Sequence, residues 1–286
     1  MQIVKATMVR DSWAAYRKAE GANWSSFKHA LRSASYAKWK RDNPHVGSLE
    51  GRLVHAMVLE PGSENVEYVI APFDDFRTKA AKEWRDAETR QVVKQSEWDT
   101  CSACADAVRK SPLGAALLDG ATTELSVYAD VEHGGKVHKV KGRIDIATSL
   151  GILADLKTTD SLNAEEFGVE ARKLHYLGQA AFYSELVAAA GKAADGWAWL
   201  CVNLKTCDVF GVEADEDALA IGSAIWRKAL GRWLDAQETG EWPGAAPNDS
   251  CVKLVVPGWY AKEYGGSAVE QPEDEDEDAL AFFGGE

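Results

Sequence analysis

The segment ADLKTT carries the residues whose spacing says most about chemistry. Successive side chains on a β-strand point to opposite faces, so Asp155 and Lys157 share one face while Leu156 turns the other way into apolar packing. The preceding strand, KGRIDIAT, ends in a short Ser-Leu-Gly turn that folds it back, which brings Asp145 alongside Asp155. Two carboxylates and an ammonium then converge. Such a cluster suits Mg²⁺, which takes one or two carboxylates and completes its shell with waters and substrate phosphate. A cation held there polarises a phosphate and lowers the pKa of a bound water, while Lys157 orients or helps deprotonate that water. Phosphodiester hydrolysis is the chemistry the trio fits. Taken alone, an Asp-x-Lys pair is usually solvated surface, so its setting decides.

That setting is a mixed α/β chain. Helical spacing in SFKHALRSASYAKWK predicts a helix over residues 25–40, stopped by Asn43-Pro44. In SLEGRLVHAMVLEPG, Leu53, Val54, Met57 and Val58 recur at helical spacing as far as Pro61-Gly62, so His55 rides a short helix. EYVIAP reads as a strand, and residues 78–111 as one or two exposed helices. From Glu124 the texture becomes a meander: ELSVYADVEH, a Gly134-Gly135 turn, KVHKVKGRIDIAT, then GILADLKTT. A long helix over 164–190 ends at Gly191, WAWLCVNL and CDVFGVEA form a second strand pair, and residues 215–242 form a closing helix. Trp226 and Trp233, seven apart on that helix, belong to the core.

Composition narrows the class further. With 286 residues, 46% hydrophobic and 27% charged, the chain can bury one substantial core or two small ones. No run approaches the roughly 18 apolar residues of a membrane span, and the first residues lack a secretory apolar segment, so a cytoplasmic protein without a membrane partner is expected. Five scattered cysteines point to reduced thiols. Cys101 and Cys104 form a C-x-x-C pair inside a helix-like stretch with no preceding strand, and Cys201, Cys207 and Cys251 offer no second tight pair. They read as core residues in preference to a redox or metal site. The net charge of −13 runs against phosphate binding, but eight acidic residues and no basic ones fall within 269–286. The remainder holds 37 acidic against 32 basic residues.

KGRID, about ten residues, a D-x-K closing an apolar strand, then a helix containing HYLGQAAFY: this order resembles the PD-(D/E)XK nuclease superfamily. More narrowly, the chain is similar to the phage and prophage exonuclease VIII (RecE-type) group, related to lambda exonuclease and the RecB nuclease domain. GRLVHAMVLEP resembles that group's G-x-x-x-H-x-x-x-L-E-P helix, and VIAPFDDFRTKAAKEW its stretch around R-T-K-x-x-K-E; the likeness spans roughly residues 25–244. The resemblance implies a restriction-endonuclease-like core with a central mixed sheet flanked by helices. Asp145 and Asp155 become metal-binding carboxylates and Lys157 the catalytic lysine. Ile144 replaces the superfamily's proline and Asp155 stands in for Glu. The resemblance alone makes His55 a metal ligand, with Mn²⁺ as a substitute for Mg²⁺. Glu60 matches the same motif and equally well begins a solvated loop. Glu124 matches an acidic residue near the metal, or is an exposed strand end. Gln179 and Tyr183, four apart on one helical face with Tyr176, resemble a Q-x-x-x-Y motif bordering the active site. Arg77 and Lys79 match a DNA-facing segment. Lys139, Lys141 and Arg143 alternate towards Asp145, either as a row contacting phosphates or as a solvated face.

The expected function is degradation of one strand from double-stranded DNA ends, with 5′ to 3′ polarity and a ring-shaped homo-oligomer implied by the resemblance alone. Two other readings stand beside it. One is a nuclease of the same fold with other specificity, an endonuclease or a CRISPR-adaptation type enzyme, although the scattered cysteines do not suit the latter's iron-sulfur cluster. The other is a non-catalytic DNA-end-binding module. The expected organisation is an N-terminal segment (1–24), an exonuclease domain (25–268) and a disordered acidic tail (269–286). The tail's acidic run and its Leu280, Phe282 and Phe283 suit a basic pocket on a single-strand annealing or single-strand-binding protein, or competition with DNA for the enzyme's own groove. Deleting 269–286 should therefore weaken partner pull-down or change the nuclease rate; if neither moves, the tail is only a solubilising extension.

Overall fold

In a computed structural model of the chain, residues 1–44, 47–73, 75–192, 194–246, 251 and 256 are described. The elements run β1 (Gln2–Val9), α1 (Trp13–Lys18), α2 (Trp24–Phe27), α3 (Ala34–Asp42), α4 (Leu49–Leu59), α5 (Glu64–Glu67), β2 (Tyr68–Ile70), α6 (Lys79–Ala87), β3 (Gln91–Val93), α7 (Gln95–Lys110), α8 (Pro112–Leu118), β4 (Thr122–His133), β5 (Lys136–Ala147), β6 (Ile152–Thr159), α9 (Ala164–Leu174), α10 (Tyr176–Ala189), β7 (Gly196–Asn203), β8 (Val209–Ala214) and α11 (Glu216–Thr239).

Gly134 and Gly135, both at positive φ, fold β4 and β5 into a long antiparallel hairpin. The hairpin is the spine of a six-stranded mixed sheet in the order β1-β4-β5-β6-β7-β8, in which only the β6-β7 pair is parallel. Alternation along β6 and β7 sends Leu153, Trp197, Trp199 and Cys201 to one face and Ala154, Leu156, Leu200 and Val202 to the other. On the first face α2, α10 and α11 pack Trp24, Phe27, Phe182 and Trp226 into an aromatic core. On the second, α4 and α7 pack Leu53, Val54, Cys101, Cys104 and Val108. The expected mixed sheet flanked by helices is what forms, with Trp226 and Trp233 in the core.

Several elements differ from their expected form. The helix over 25–40 is broken, because Ser33 turns extended and caps α3 by accepting the Tyr36 amide. The long helix over 164–190 breaks at His175, whose left-handed backbone (φ 58°, ψ 40°) ends α9 and starts α10 in a new direction. Residues 78–111 hold α6, β3 and α7, and α7 is not an exposed helix: it buries Cys101, Cys104, Ala105 and Val108. Burial pushes the thiols of Cys101 and Cys104 up to about 12, which makes them inert packing, and Cys104 Sγ lies against Cys207 Sγ. The N-terminal segment joins the sheet. β1 pairs along β4, and the Ala22 backbone bonds to Lys139 and Lys141 on β5. No helix among the described residues is long and apolar enough to cross a membrane. The acidic tail lies outside the described residues.

Gly142 on β5 seats α10 on the sheet. A Cβ there would come within 2.9 Å of the Tyr183 ring and 3.1 Å of Leu186 Cδ1. Gly142→Ala should therefore overpack the contact and cost about 1–3 kcal/mol. Urea unfolding monitored by circular dichroism measures this; unchanged stability would show that the helix can retreat freely.

Candidate active site

The acids are aligned by strand register. Thr123 pairs with Ile146 and Leu125 with Ile144, which sets Glu124 opposite Asp145. Ile146 pairs with Ala154, which sets Asp145 opposite Asp155. Glu124, Asp145 and Asp155 thus form one row across three neighbouring strands. The sheet is irregular along this row. Ile144 packs into one core and Ile146 into the other, so alternation is interrupted at Asp145, and Glu124 takes a left-handed backbone (φ 53°) that a non-glycine residue adopts only under constraint. Beyond Ile146 and Ala147 the β5-β6 ladder stops, and Asp145 Oδ2 accepts the Leu156 amide at 2.9 Å. A carboxylate thus replaces the ladder carbonyl where the strands fork.

His55 enters this fork from α4. Ser48 caps the helix by accepting the Gly51 amide, and Gly51 permits close approach to β6: a Cβ there would lie 3.0 Å from Thr158 Oγ1. Four residues on, His55 occupies the same helical face. Its Nδ1 lies 3.6 Å from Asp145 Oδ2, too far for a hydrogen bond, and the ligand atoms of His55, Glu124 and Asp145 lie within 4.8 Å of one another. On the other side of the fork Asp155 Oδ2 faces Lys157 Nζ at 2.5 Å. Gln179 ties the pair together, its Nε2 donating to Asp155 Oδ1 at 2.8 Å and its Oε1 accepting from Lys157 at 3.3 Å. The Tyr176 ring centroid lies 4.3 Å from the Lys157 ammonium.

Burial and crowding set the charge states. Burial holds the Asp145 carboxyl well above its usual range, reinforced by the negative charges of Asp155 and Glu124. Burial likewise raises Glu124, against the pull of the Arg143 guanidinium hydrogen-bonded to it. Burial lowers the His55 imidazole, outweighing attraction to Asp155, so the ring is neutral and able to ligate. Burial also works against the Lys157 charge, but Asp155, Tyr176 and Asp145 together hold it above the ordinary lysine range.

A divalent cation fits this donor set. Arg143 matches Glu124 and Lys157 matches Asp155, which leaves Asp145 with a neutral imidazole and no cationic partner. Asp145 therefore keeps a proton that a cation can displace, where one nitrogen and two carboxylates converge. A ligand set of His and carboxylate is one that Mn²⁺ and Mg²⁺ accept.

The remaining expected residues fall elsewhere. Lys141 and Arg143 are buried and do not form a phosphate-facing row. Lys141 Nζ donates to the carbonyls of Tyr16 and Ala19, while Arg143 is held by Glu124, Ser126 and Asp11, with Glu60 at 4.0 Å. Lys139 is exposed and pairs with Asp130. Arg77 and Lys79 are 89% exposed and pair with Asp75 and Glu83, outside the cluster. Tyr183 is buried beside Trp197; burial raises its hydroxyl first, then repulsion from Tyr16, Asp155 and Asp145. Two residues went unread. Asp11, after β1, accepts from Ser126, Tyr128 and Arg143, and nothing in its local sequence marks it. Lys28 is close enough to feel Lys157 and Asp155, yet its helical neighbours give no sign of it.

The raised Asp145 carboxyl links metal, pH and stability. Its folded form holds a proton that the unfolded chain releases above about pH 4, so metal-free stability declines as pH rises through the raised folded value. Cation binding expels that proton. The Mn²⁺-induced rise in melting temperature should therefore grow between about pH 5 and pH 8. In Asp145→Asn the rise should be lost; a rise that is pH-independent and survives the substitution would place the ion elsewhere.

A family model, the PDDEXK-like domain of unknown function (DUF3799), matches residues 24–254. No curated protein matches the chain. Among solved structures the chain is similar to a candidate exonuclease from Eubacterium rectale, at 13% identity and TM-score 0.58, covering 90% of this chain and 99% of that one. It is also aligned with SSO0001, at 18% identity over 70% of this chain and 84% of that one, with a TM-score of 0.31. The fold is thus of the PD-(D/E)XK nuclease type, and the chain belongs to the family of the PDDEXK-like domain DUF3799.

Proposed function

We propose that the protein is a divalent-metal-dependent DNA exonuclease that hydrolyses phosphodiester bonds from the ends of double-stranded DNA, 5′ to 3′, and leaves single strand for an annealing protein. The observation that carries this reading is the convergence of His55, Glu124 and Asp145 beside the Asp155-Lys157-Gln179 group at one strand fork. His55, Asp145, Glu124 and Asp155 would hold the ion. When bound, Mg²⁺ or Mn²⁺ supplies Lewis acidity and a water of lowered pKa.

Lys157 keeps its proton in this setting, so it serves as a fixed positive charge. It orients the attacking water and offsets negative charge growing on the phosphate oxygens. Gln179 locks the rotamers of Asp155 and Lys157 by bonding to both. Arg143 acts as a positioning residue: it anchors Glu124 to the N-terminal Asp11 and touches no reacting atom. The 5′ to 3′ polarity, a cytoplasmic setting and a ring of subunits around duplex are parts of the same proposal. Encirclement raises effective concentration where basic surface is modest.

Linear and circular duplex incubated with Mg²⁺ or Mn²⁺ test the proposal. Linear duplex should be degraded, circles spared and chelation inhibitory, with Asp145→Asn and Lys157→Ala each at least about a hundred-fold slower. Nicked or linearised circles would make the protein an endonuclease. End binding without cleavage by the wild-type chain would make it a non-catalytic module.

A further inference from the structure

The inner residues of α3, Ala34 and Ala37, are buried, whereas Trp39 is turned outward with Tyr36 half-buried beside it. Trp39 is 54% exposed, and Tyr36 lies nearly parallel to it at 16° with centroids 5.9 Å apart. Cations frame the pair. Lys40 Nζ is 5.4 Å from the Trp39 centroid and 5.7 Å from that of Tyr36, and Arg32 Cζ is 4.6 Å above Tyr36. Among the described residues none of Lys28, Arg32 and Lys40 has a carboxylate in ion-pair contact, in a chain whose net charge is −13. The local field is correspondingly positive: burial, then Lys28, Lys40 and Arg32, drive the His29 imidazole down to about 4.

Lys28 and His29 link the patch to the active site. His29 packs edge-on against Tyr36 at 5.6 Å, and Lys28, next to it, feels the charges of Lys157 and Asp155. On the opposite flank Tyr176 contacts Lys157, and its neighbour His175 feels Lys28 and Arg32. Lys28, whose ammonium burial lowers to about 8, is thus near both Lys157 and the ring pair.

We propose that Tyr36 and Trp39, with Arg32, Lys40 and Lys28, form a stacking platform that holds an unpaired stretch of the nucleic-acid substrate beside the active site. This deepens the nuclease reading and rests on it. Flat aromatic faces recognise any base whose own face is free, and ammonium and guanidinium groups follow its phosphates without reading sequence. Bases inside duplex have both faces covered. The platform thus selects a strand already peeled from its complement, which an enzyme working inward from a duplex end must generate.

Metal-free protein binding a fluorescent twelve-residue oligothymidylate, followed by anisotropy, tests this without cleavage. Trp39→Ala should weaken binding by about five- to a hundred-fold, and Trp39→Phe should retain most of it. The double variant Arg32→Ala/Lys40→Ala should reduce the slope of log affinity against log salt by about 1.4. With Mn²⁺, Trp39→Ala should raise KM for oligonucleotide while leaving hydrolysis of bis(p-nitrophenyl) phosphate unchanged, since that small diester reaches only the catalytic groups. Unaltered oligonucleotide affinity in Trp39→Ala overturns the platform. So does an altered sedimentation coefficient with unaltered affinity, which assigns the rings to contact with a second copy of the chain. Failure of the nuclease reading looks different: wild-type protein binds the oligonucleotide through Trp39 but cuts neither it nor the small diester.

Discussion

Mutual repulsion within a row of three carboxylates governs this structure. Glu124, Asp145 and Asp155 stand side by side on adjacent strands in partly dehydrated surroundings. Two unit charges about 4 Å apart near a protein surface repel by about 4 kcal/mol, which is comparable to the whole stability of many domains. Each flanking acid is given a cation and the central one is not. Elements remote in sequence are recruited to hold those two cations. The segment after β1 supplies Asp11 to orient Arg143, and α10 supplies Gln179 and Tyr176 to hold Lys157. The central acid, left without a cation, holds a proton that a divalent ion would displace.

The sheet accommodates the row by breaking its own regularity. An uninterrupted β4-β5-β6 ladder would occupy every backbone donor and acceptor and leave no opening. Here Glu124 adopts a left-handed backbone, alternation is interrupted at Asp145, and the Leu156 amide finds a side-chain acceptor in place of a strand carbonyl. The Leu156 amide freed by the fork is thus satisfied by a site residue. Removing the acids therefore disturbs the backbone as well as the charge, so chemistry and local fold are coupled at this point.

Strand alternation and a short turn were enough to place Asp145, Asp155 and Lys157 together, because those relations are local. His55 was joined to them only by resemblance, since the approach of α4 depends on Gly51 meeting Thr158 on β6, about a hundred residues away. The same alternation does not fix the setting of Lys141 and Arg143. Alternation says which residues share a face but not what covers it, and α1 with the Asp11 loop covers that one. A row of basic residues on a strand looked solvated or phosphate-facing, yet it proved to be internal counter-charge. The breaks at Ser33 and His175 escaped for a related reason. Neither residue type stops a helix by itself, and tertiary packing selected the conformation.

The global charge of the chain is a poor guide to what it can approach. Many exposed acids pair with a nearby base, the next residue in Arg41-Asp42 and one four residues away in Lys79-Glu83 and Lys110-Asp106, and solvent and salt screen these within about 8 Å. The cations near the active site are arranged differently. Arg143 and Lys157 are buried and committed to holding carboxylates, so they cannot also serve as a docking surface. Attraction for a polyanion must then come from a second, uncommitted group of basic residues at the mouth of the site. In the proposed platform Lys28, Arg32 and Lys40 on the α2-α3 segment take that part, and the rings beside Arg32 and Lys40 would add a contact that salt does not screen. On the proposed reading, charge balance at the carboxylate site and attraction of substrate are carried by separate residues, so that an acidic chain can hold three clustered carboxylates and still approach a phosphate backbone.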